Sequence, residues 1–490
     1  MFDTWTGIVL IMLAINVVLV ATGLFYLLYH PREPRAMLAW LMAFLLLPFI
    51  GVLWFYLLSD PSLNRRRRRL ARYRKQLNPA LWDKLRAINE QYTPSAPFSD
   101  KTAQQAKFIN LVGRISELQP PTGGNLVQIY HDRAEAVLER LLATIESAQH
   151  HVHMEYFTFR ADRSGEVIAE ALIKKAREGV KCRLLVDYLG SWGWPDAFLS
   201  KLTAAGIEVV FFMPLVPWRG KRWGLRFNFR NHRKIAVIDG HIGFVGSQNI
   251  GDEYFGYAGE FDHWIDTHLE LQGSAVHQLQ ETFIEDWHIA SHEDLFADEC
   301  FPPISAQDSD QVVQIIASGP DYDIQIMHHL LLAAIAAADE SVCIASPYFV
   351  PDTAITLMLE AAAYRGVQVK LLLPAKSDHR IALWLGRSYY EEMLLAGVEI
   401  YEFTGGFLHS KLVLIDKHWG LIGSANMDER SFRLNFEITA VLYNAEPVKR
   451  LQLDFDAMLQ TSHKINQSEQ ATHSLHKLKL GAARLLSPMY

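Results

Sequence analysis

The chain has 490 residues, half of them hydrophobic, with 47 Lys and Arg against 54 Asp and Glu for a net charge of −7, enough apolar material for a membrane segment and about two to three domains. Residues 1–75 hold ten of the basic residues and three of the acids, so the remainder carries 47 − 10 = 37 basic and 54 − 3 = 51 acidic residues, a net of −14. An acidic body is a poor partner for nucleic acid, and three scattered cysteines (Cys182, Cys300 and Cys343) argue against a disulfide framework and fit a reducing compartment.

Two apolar stretches open the chain, Gly7–Tyr29 and Ala36–Leu58, each of 23 residues without a charge. About 20 suffice to cross the hydrocarbon core, so residues 1–60 read as two transmembrane helices joined by the short loop HPREPR. A cleavable signal peptide is the rival for the first stretch. The lack of a basic leader, the length of the run and the second stretch behind it argue against that. RRRRRLARYRK (Arg65–Lys75) carries eight basic residues and the hairpin loop two. The positive-inside bias therefore puts the C-terminal body, and with two spans the N-terminus, in the cytoplasm. The arginines also suit anionic head groups.

Residues 61–120 read as a basic juxtamembrane linker with helical pieces. A repeat follows, with a first half over 121–305 and a second over 306–490. VHMEYFTFRADRSGEVIAEALIKKAREGVKCRLLVDYLG and VCIASPYFVPDTAITLMLEAAAYRGVQVKLLLPAKSD each read strand, helix, strand. Each continues with a further helix and strand. Short continuous apolar strands alternating with helices predict α/β units whose sheet is covered on both faces. The acidic, proline-containing HEDLFADECFPPISAQDSDQ reads as the connector. Cys182 and Cys343 sit in strand-like runs and read as buried, inert thiols.

Each half closes on the same pattern. HRKIAVIDGHIGFVGSQN starts at His232 and HSKLVLIDKHWGLIGSAN at His409, and His, Lys, Asp, Ser and Asn are all offset by 177 residues. Residues i and i+2 of a strand share a face, so His232 projects with Lys234 and His409 with Lys411. Asp239-Gly240 is a strong two-residue hairpin turn. Counting from it sets His232 opposite Ser247, with Asn249 on the same face. The same count about Asp416-Lys417 sets His409 opposite Ser424, with Asn426. A patch of His, Lys and Asn suits a phosphoryl group: Lys and Asn for its oxygens, His as nucleophile or proton carrier. Two such patches supply one histidine for each side of an in-line displacement, without a metal. The nearest metal-like run, His150-His151-x-His153, reads as the polar start of a strand.

At these residues the sequence resembles the phospholipase D superfamily, marked by a doubled H-x-K-x4-D. With the apolar hairpin, RNHRKIAVIDGHIGFVGSQNIGDEY, HWIDTHLELQG, ASPYFVPD, FLHSKLVLID, GSANMDERSFRLNFE and the LLSP ending, it is similar to the bacterial cardiolipin synthases of the two-span type over nearly the whole chain. The resemblance implies an α/β fold of two phospholipase D-like α/β/α sandwich halves around one active site, without cofactor. It implies phosphatidyl transfer between two phosphatidylglycerol molecules, giving cardiolipin and glycerol. His232 would attack phosphorus and His409 would move the protons. Lys234, Lys411, Asn249 and Asn426 would bind phosphoryl oxygens, supported by Ser247 and Ser424. Asp239 and Asp416 complete the signature, and their place at the turn argues for holding it. Glu437 matches the carboxylate that would orient His409. For His232 the preferred counterpart is Asp266, with Glu260 the rival at Glu437's own spacing of thirteen residues from the serine. A phospholipase D-type hydrolase, a nuclease and a non-catalytic membrane scaffold are the alternatives. PLVPWRGKRWGLRFNFRNHRK, which interleaves aromatic and basic residues, reads either as a lipid-facing rim or as a surface loop with packed aromatics. The basic, apolar tail HSLHKLKLGAARLLSPMY reads either as a surface-seeking amphipathic helix or as a packed one.

Overall fold

The computed structural model describes residues 2–29, 34–47, 49–58, 86–87, 90–93, 103–115, 119–215, 229–258, 261, 263–304, 309, 311–322, 324–443, 445–467, 474–485 and 487. Two compact units divide the chain, residues 1–72 and 73–490. In the first, Phe2–Tyr29 is one unbroken helix of 28 residues, long and apolar enough to cross a membrane. The second expected span is not continuous. It forms helices Pro34–Leu46 and Ile50–Leu58, each too short to cross alone, with a break where Phe49 takes φ 64°. A proline at position 48 has no N–H for the helical ladder. The Phe49 N–H freed by the break donates to Asn16 Oδ1 of the first helix at 2.9 Å. At Gly51 an added Cβ would lie 2.2 Å from the Ala43 carbonyl oxygen, so only glycine lets the two short helices approach. Leu27, Phe44, Val52 and Phe55 close a small apolar core.

The second unit is built on a repeated set of strands. The first half supplies β1 (Thr122–His131), β2 (His151–Tyr156), β3 (Lys181–Asp187), β4 (Glu208–Phe212), β5 (Lys234–Ile238), β6 (Ile242–Gly246) and β7 (Thr267–Gln272). The second repeats them as β8 (Gln311–Ser318), β9 (Ser341–Ala345), β10 (Gln368–Pro374), β11 (Glu399–Phe403), β12 (Leu412–Ile415), β13 (Trp419–Gly423) and β14 (Glu437–Leu442), and adds β15 (Ser462–Lys464) at the edge. All fifteen form one sheet in the order β15-β11-β10-β9-β12-β13-β14-β8-β1-β7-β6-β5-β2-β3-β4. Outward from the antiparallel β8–β1 seam, both sides read alike. β2-β3-β4 and β9-β10-β11 are parallel, as helical crossovers require. The helices after β2 and β9 start at matching places, where Asp162 and Asp352 accept from Gly165 N and Ile355 N, the usual work of an N-cap carboxylate.

Three apolar cores result. One lies between the first-half strands and helices Ala134–Ser147, Arg163–Arg177 and Asp196–Ala204. A second repeats it in the other half and includes Phe108 and Val112. These belong to helix Ala103–Ile115, so a piece of the expected linker is part of the body: the Phe108 ring lies 4.2 Å from Trp419. The third core joins the halves, packing Ile235, Val245 and Leu269 with Leu412, Ile422 and Ile438. Helices Ser274–Ser291 and Ala445–Gln460 contribute Leu279 and Phe455 to it, so each half is an α/β/α sandwich. The tail helix Ser474–Arg484 is packed, with Arg484 bonded to Glu392 at 2.8 Å and stacked on Tyr389. All three cysteines are free and buried, and burial pushes the Cys182 thiol up to about 12.

The hairpin count is corrected by one residue. Ile238 pairs with Ile242 and Ile415 with Trp419, so each loop has three residues, not two. Asp239, Gly240, Asp416 and Lys417 all take positive φ. A one-residue slip turns side chains to the other face, so the count no longer sets Ser247 and Ser424, or Asn249 and Asn426 two residues on, in the histidines' own hairpin patches. The turn aspartates behave as their position suggests. Asp239 accepts from the backbone N–H groups of Gln149, His150 and His151 at 2.7–2.8 Å; Asp416 accepts from Asp339, Glu340 and Ser341 at 2.8–3.0 Å. Each clamps its hairpin to the start of the first parallel strand. Asp416→Ala leaves three donors without that acceptor and an alanine at φ 52°. We expect a loss of about 2–4 kcal/mol, read by chemical denaturation, with kcat/KM of the folded fraction nearly unchanged.

Candidate active site

Lys234 pairs with Tyr156 and Leu412 with Ala345, so both H-x-K stretches lie at the C-terminal ends of β2 and β9. Two short parallel pairings then tie each motif to the other half. Phe407–Leu408 pairs with Trp264–Ile265, and Asn231 bridges Phe436. The His409 N–H donates to the Ile265 carbonyl at 2.8 Å, and the His232 N–H to the Phe436 carbonyl at 2.9 Å. The next residues along those partner segments are Asp266 and Glu437.

The histidine–carboxylate pairs are therefore crossed. His232 Nδ1 lies 2.9 and 3.2 Å from the Glu437 oxygens, and His409 Nδ1 lies 2.8 Å from Asp266 Oδ1. Asp266 and Glu437 were expected to orient the histidine of their own half; each orients the other's. Glu260 lies outside the described residues. The local reason is the pairing above: each motif runs beside the partner half's carboxylate-bearing segment.

Ser247 and Ser424 are also placed behind the histidines. Ser247 Oγ donates to Asp266 at 2.5 Å and accepts from Thr267 N at 3.0 Å; Ser424 Oγ donates to Glu437 at 2.5 Å and accepts from Ile438 N at 2.9 Å. Both are fully buried, so their expected phosphate contact gives way to fixing the carboxylates. Glu437 also accepts from Ser431 Oγ and Asn435 Nδ2. Asn249 Oδ1 accepts from Thr158 N at 3.2 Å, which fixes the orientation of its amide. Asn426 N–H donates to Ser431 Oγ, and its Oδ1 is buried without a hydrogen-bond partner among the described residues.

Lys234 Nζ and Lys411 Nζ each bond the carbonyl of the histidine two residues back, at 2.7 and 2.6 Å. Aromatic rings wall the site. Phe157 lies 5.0 Å from the His232 ring, and Tyr254, Trp264 and Phe407 lie 6.2, 5.2 and 5.9 Å from that of His409.

Burial sets the protonation. It pulls His232 down to about 4 against the opposing pull of Glu437, so at neutral pH the ring is neutral. Its Nδ1–H donates to Glu437 and leaves Nε2 as an open lone pair. His409 is likewise lowered by burial and by Lys411, with Asp266 opposing. Burial would raise Glu437 and Asp266, but the histidines, the lysines and the serine hydrogen bonds hold both low. Burial lowers Lys234 to about 7 and Lys411 to about 8, against the carboxylates. An anionic ligand needs both lysines charged. We expect kcat/KM to fall as pH rises through about 7 to 8, where the free site loses those protons. The limb in kcat should lie higher, because a bound phosphate anion favours the charged lysine. A pH–rate series to pH 9.5 reads both limbs; coincident limbs would contradict the assignment.

A second layer was not read from the sequence. Arg233, fully buried between the two motif residues, pairs with Asp286. It also donates to the carbonyls of Glu437 and Ser318 at 3.0 and 3.1 Å, stapling the carboxylate strand to the first motif. Asp187 accepts from Asn231 N and Arg230. The one available signal was an arginine inside a motif that otherwise runs into a buried strand. His151 and His153 are taken up by Gln280 at 3.1 and 2.8 Å. Among the described residues no three His, Cys, Asp or Glu group to hold a metal. Of the aromatic–basic segment, residues 216–228 lie outside the described residues, while Phe229 and Arg230 are buried.

A protein-family model described as cardiolipin synthase, PLD-like domain, matches residues 141–287 and 331–459. The chain is 38% identical to a cardiolipin synthase of Geobacillus kaustophilus (strain HTA426) over 467 residues, covering 94% of this chain and 89% of that one. It is 37% identical to a cardiolipin synthase of Geobacillus sp. (strain WCH70) over 495 residues, covering 99% and 95%. Among solved structures it is similar to the phosphatidylserine synthase of Haemophilus influenzae Rd KW20, with a TM-score of 0.57 at 14% identity over 78% of this chain and all of that one, a likeness of fold. The chain belongs to the cardiolipin synthase family of phospholipase D-like proteins.

Proposed function

We propose that this enzyme joins two phosphatidylglycerol molecules into cardiolipin and releases glycerol, reversibly, through a phosphatidyl-histidine. The observation that carries this is the pair of buried histidines from the two halves, each with Nδ1 held by a carboxylate. His232, neutral, attacks phosphorus through Nε2 while the phosphorus–oxygen bond to glycerol breaks, and His409, entering as the imidazolium with Nδ1–H on Asp266, gives that oxygen its Nε2 proton. His409 then takes the proton of the second phosphatidylglycerol's hydroxyl, whose oxygen displaces His232 and forms the new phosphodiester. Splitting one hard substitution into two easier ones is the gain of covalent catalysis. Lys234, Lys411, Asn249 and Asn426 hold the non-bridging oxygens, while Asp239 and Asp416 hold the turns.

The apolar segments support a location at a bacterial inner membrane. Both stretches cross it in this reading, since the bond from Phe49 N–H to Asn16 satisfies a backbone group that hydrocarbon would leave bare. The arginine run then keeps the body on the cytoplasmic side. Purified enzyme given phosphatidylglycerol alone should yield cardiolipin and glycerol in equal amounts. Phosphatidic acid and glycerol as the only products would overturn the transferase reading.

A further inference from the structure

The repeat places two exposed aromatic segments symmetrically about the site. β3 and β10 end beside the ends of β2 and β9 that carry the two motifs, and Tyr188 N and Ala375 N make the matching bonds to the Phe212 and Phe403 carbonyls. From the first of these equivalent loops projects Trp192, 58% exposed; from the second, on helix Arg380–Arg387, project Ile381 and Trp384, 43% and 48% exposed. The helix is inverted relative to a solvent-facing one: its inner face buries Ala382 and Leu385, yet its outer face carries Ile381 and Trp384 one turn apart. It is held firmly, by Arg387 on Glu402 and on the Ala375 carbonyl. Arg380 opens the helix and is exposed, as are Lys376 and Asp378 just before it, and Trp192 rests edge-on against Tyr188 at 5.2 Å.

Tryptophan favours the head-group layer of a membrane, and the cations beside Trp384 add to that preference at the second point. We infer that Trp192 on one side and Ile381 with Trp384 on the other form a two-point rest on the bilayer surface, setting the mouth of the site at the level of the lipid phosphates. This rests on the reading of the site as acting on bilayer phospholipid.

Two measurements separate the ideas. In the first, Trp192→Ala with Trp384→Ala, in the full-length enzyme, is expected to lower turnover of phosphatidylglycerol vesicles about tenfold and that of short-chain phosphatidylglycerol dispersed below its micellar concentration less than twofold. Equal losses on both substrates, or none on vesicles, would overturn the rest. The second needs no activity. The native cysteines are buried, so Trp192→Cys, Trp384→Cys and, at the far end of the sheet, Lys181→Cys can be labelled selectively with a polarity-sensitive dye. In phosphatidylglycerol vesicles carrying a head-group nitroxide, labels at 192 and 384 should be quenched and the label at 181 should not. Quenching absent at 192 and 384 overturns the inference even if cardiolipin forms; quenching present in an enzyme that forms none overturns the functional reading alone.

Discussion

His232→Ala is expected to abolish cardiolipin formation, by ~10⁴-fold or more, because in the proposed mechanism it removes the atom that bonds to phosphorus. His409→Ala should cost as much on phosphatidylglycerol, for a different reason: the departing glycerol oxygen then leaves without a proton, and the incoming hydroxyl attacks with one. The two losses separate when labelled lipid is trapped on the protein, run denatured at alkaline pH because a phosphorus–nitrogen bond is acid-labile. With an activated donor the label should accumulate on His409→Ala and be absent from His232→Ala. Label that persists in His232→Ala and vanishes in His409→Ala would reverse the two roles. A scaffold that kept the motifs only for structure would lose no function in either variant.

The sequence showed the parts of the site more clearly than their connections. The doubled motif was legible because equal offsets of 177 residues survive any detail of folding, and the strand–helix alternation gave the repeated sheet. The turn role of Asp239 and Asp416 followed from position alone. What failed were statements that needed one residue of register or a contact between halves. The hairpin loops hold three residues although positive φ at Asp239, Gly240, Asp416 and Lys417 is what a two-residue turn takes, so neither Asp-Gly nor Asp-Lys gives warning of the extra residue. The carboxylates were assigned within each half because nothing in a linear repeat says that Phe407–Leu408 will pair with Trp264–Ile265. Equal spacing misled as well. Glu437 stands thirteen residues after Ser424, but Asp266 stands nineteen after Ser247; the first half carries six extra residues between serine and carboxylate. Arg233 and Asp286 were invisible for a related reason, since they are 53 residues apart and only the folded core brings them together.

The crossed wiring makes a sharp prediction about those two carboxylates. Glu437→Gln takes the negative charge from His232, and Asp266→Asn takes it from His409. An amide can also donate to Nδ1, which would put the ring proton on Nε2 and close the reacting nitrogen. On phosphatidylglycerol each variant should lose roughly 10²- to 10⁴-fold in kcat. A phosphatidyl ester of nitrophenol distinguishes them, because nitrophenolate departs without needing a proton. Asp266→Asn, whose impaired residue is the proton carrier, should still release nitrophenolate rapidly for one turnover and then stall with the lipid on His232. Glu437→Gln, whose impaired residue is the nucleophile, should show no such burst. If each carboxylate instead served the histidine of its own half, the pattern would invert, with the burst kept by Glu437→Gln and lost by Asp266→Asn. Because His232 draws its partner from the second half and His409 from the first, neither half holds a complete histidine–carboxylate pair alone. In the proposed mechanism the repeat therefore works as one site rather than as two weak ones.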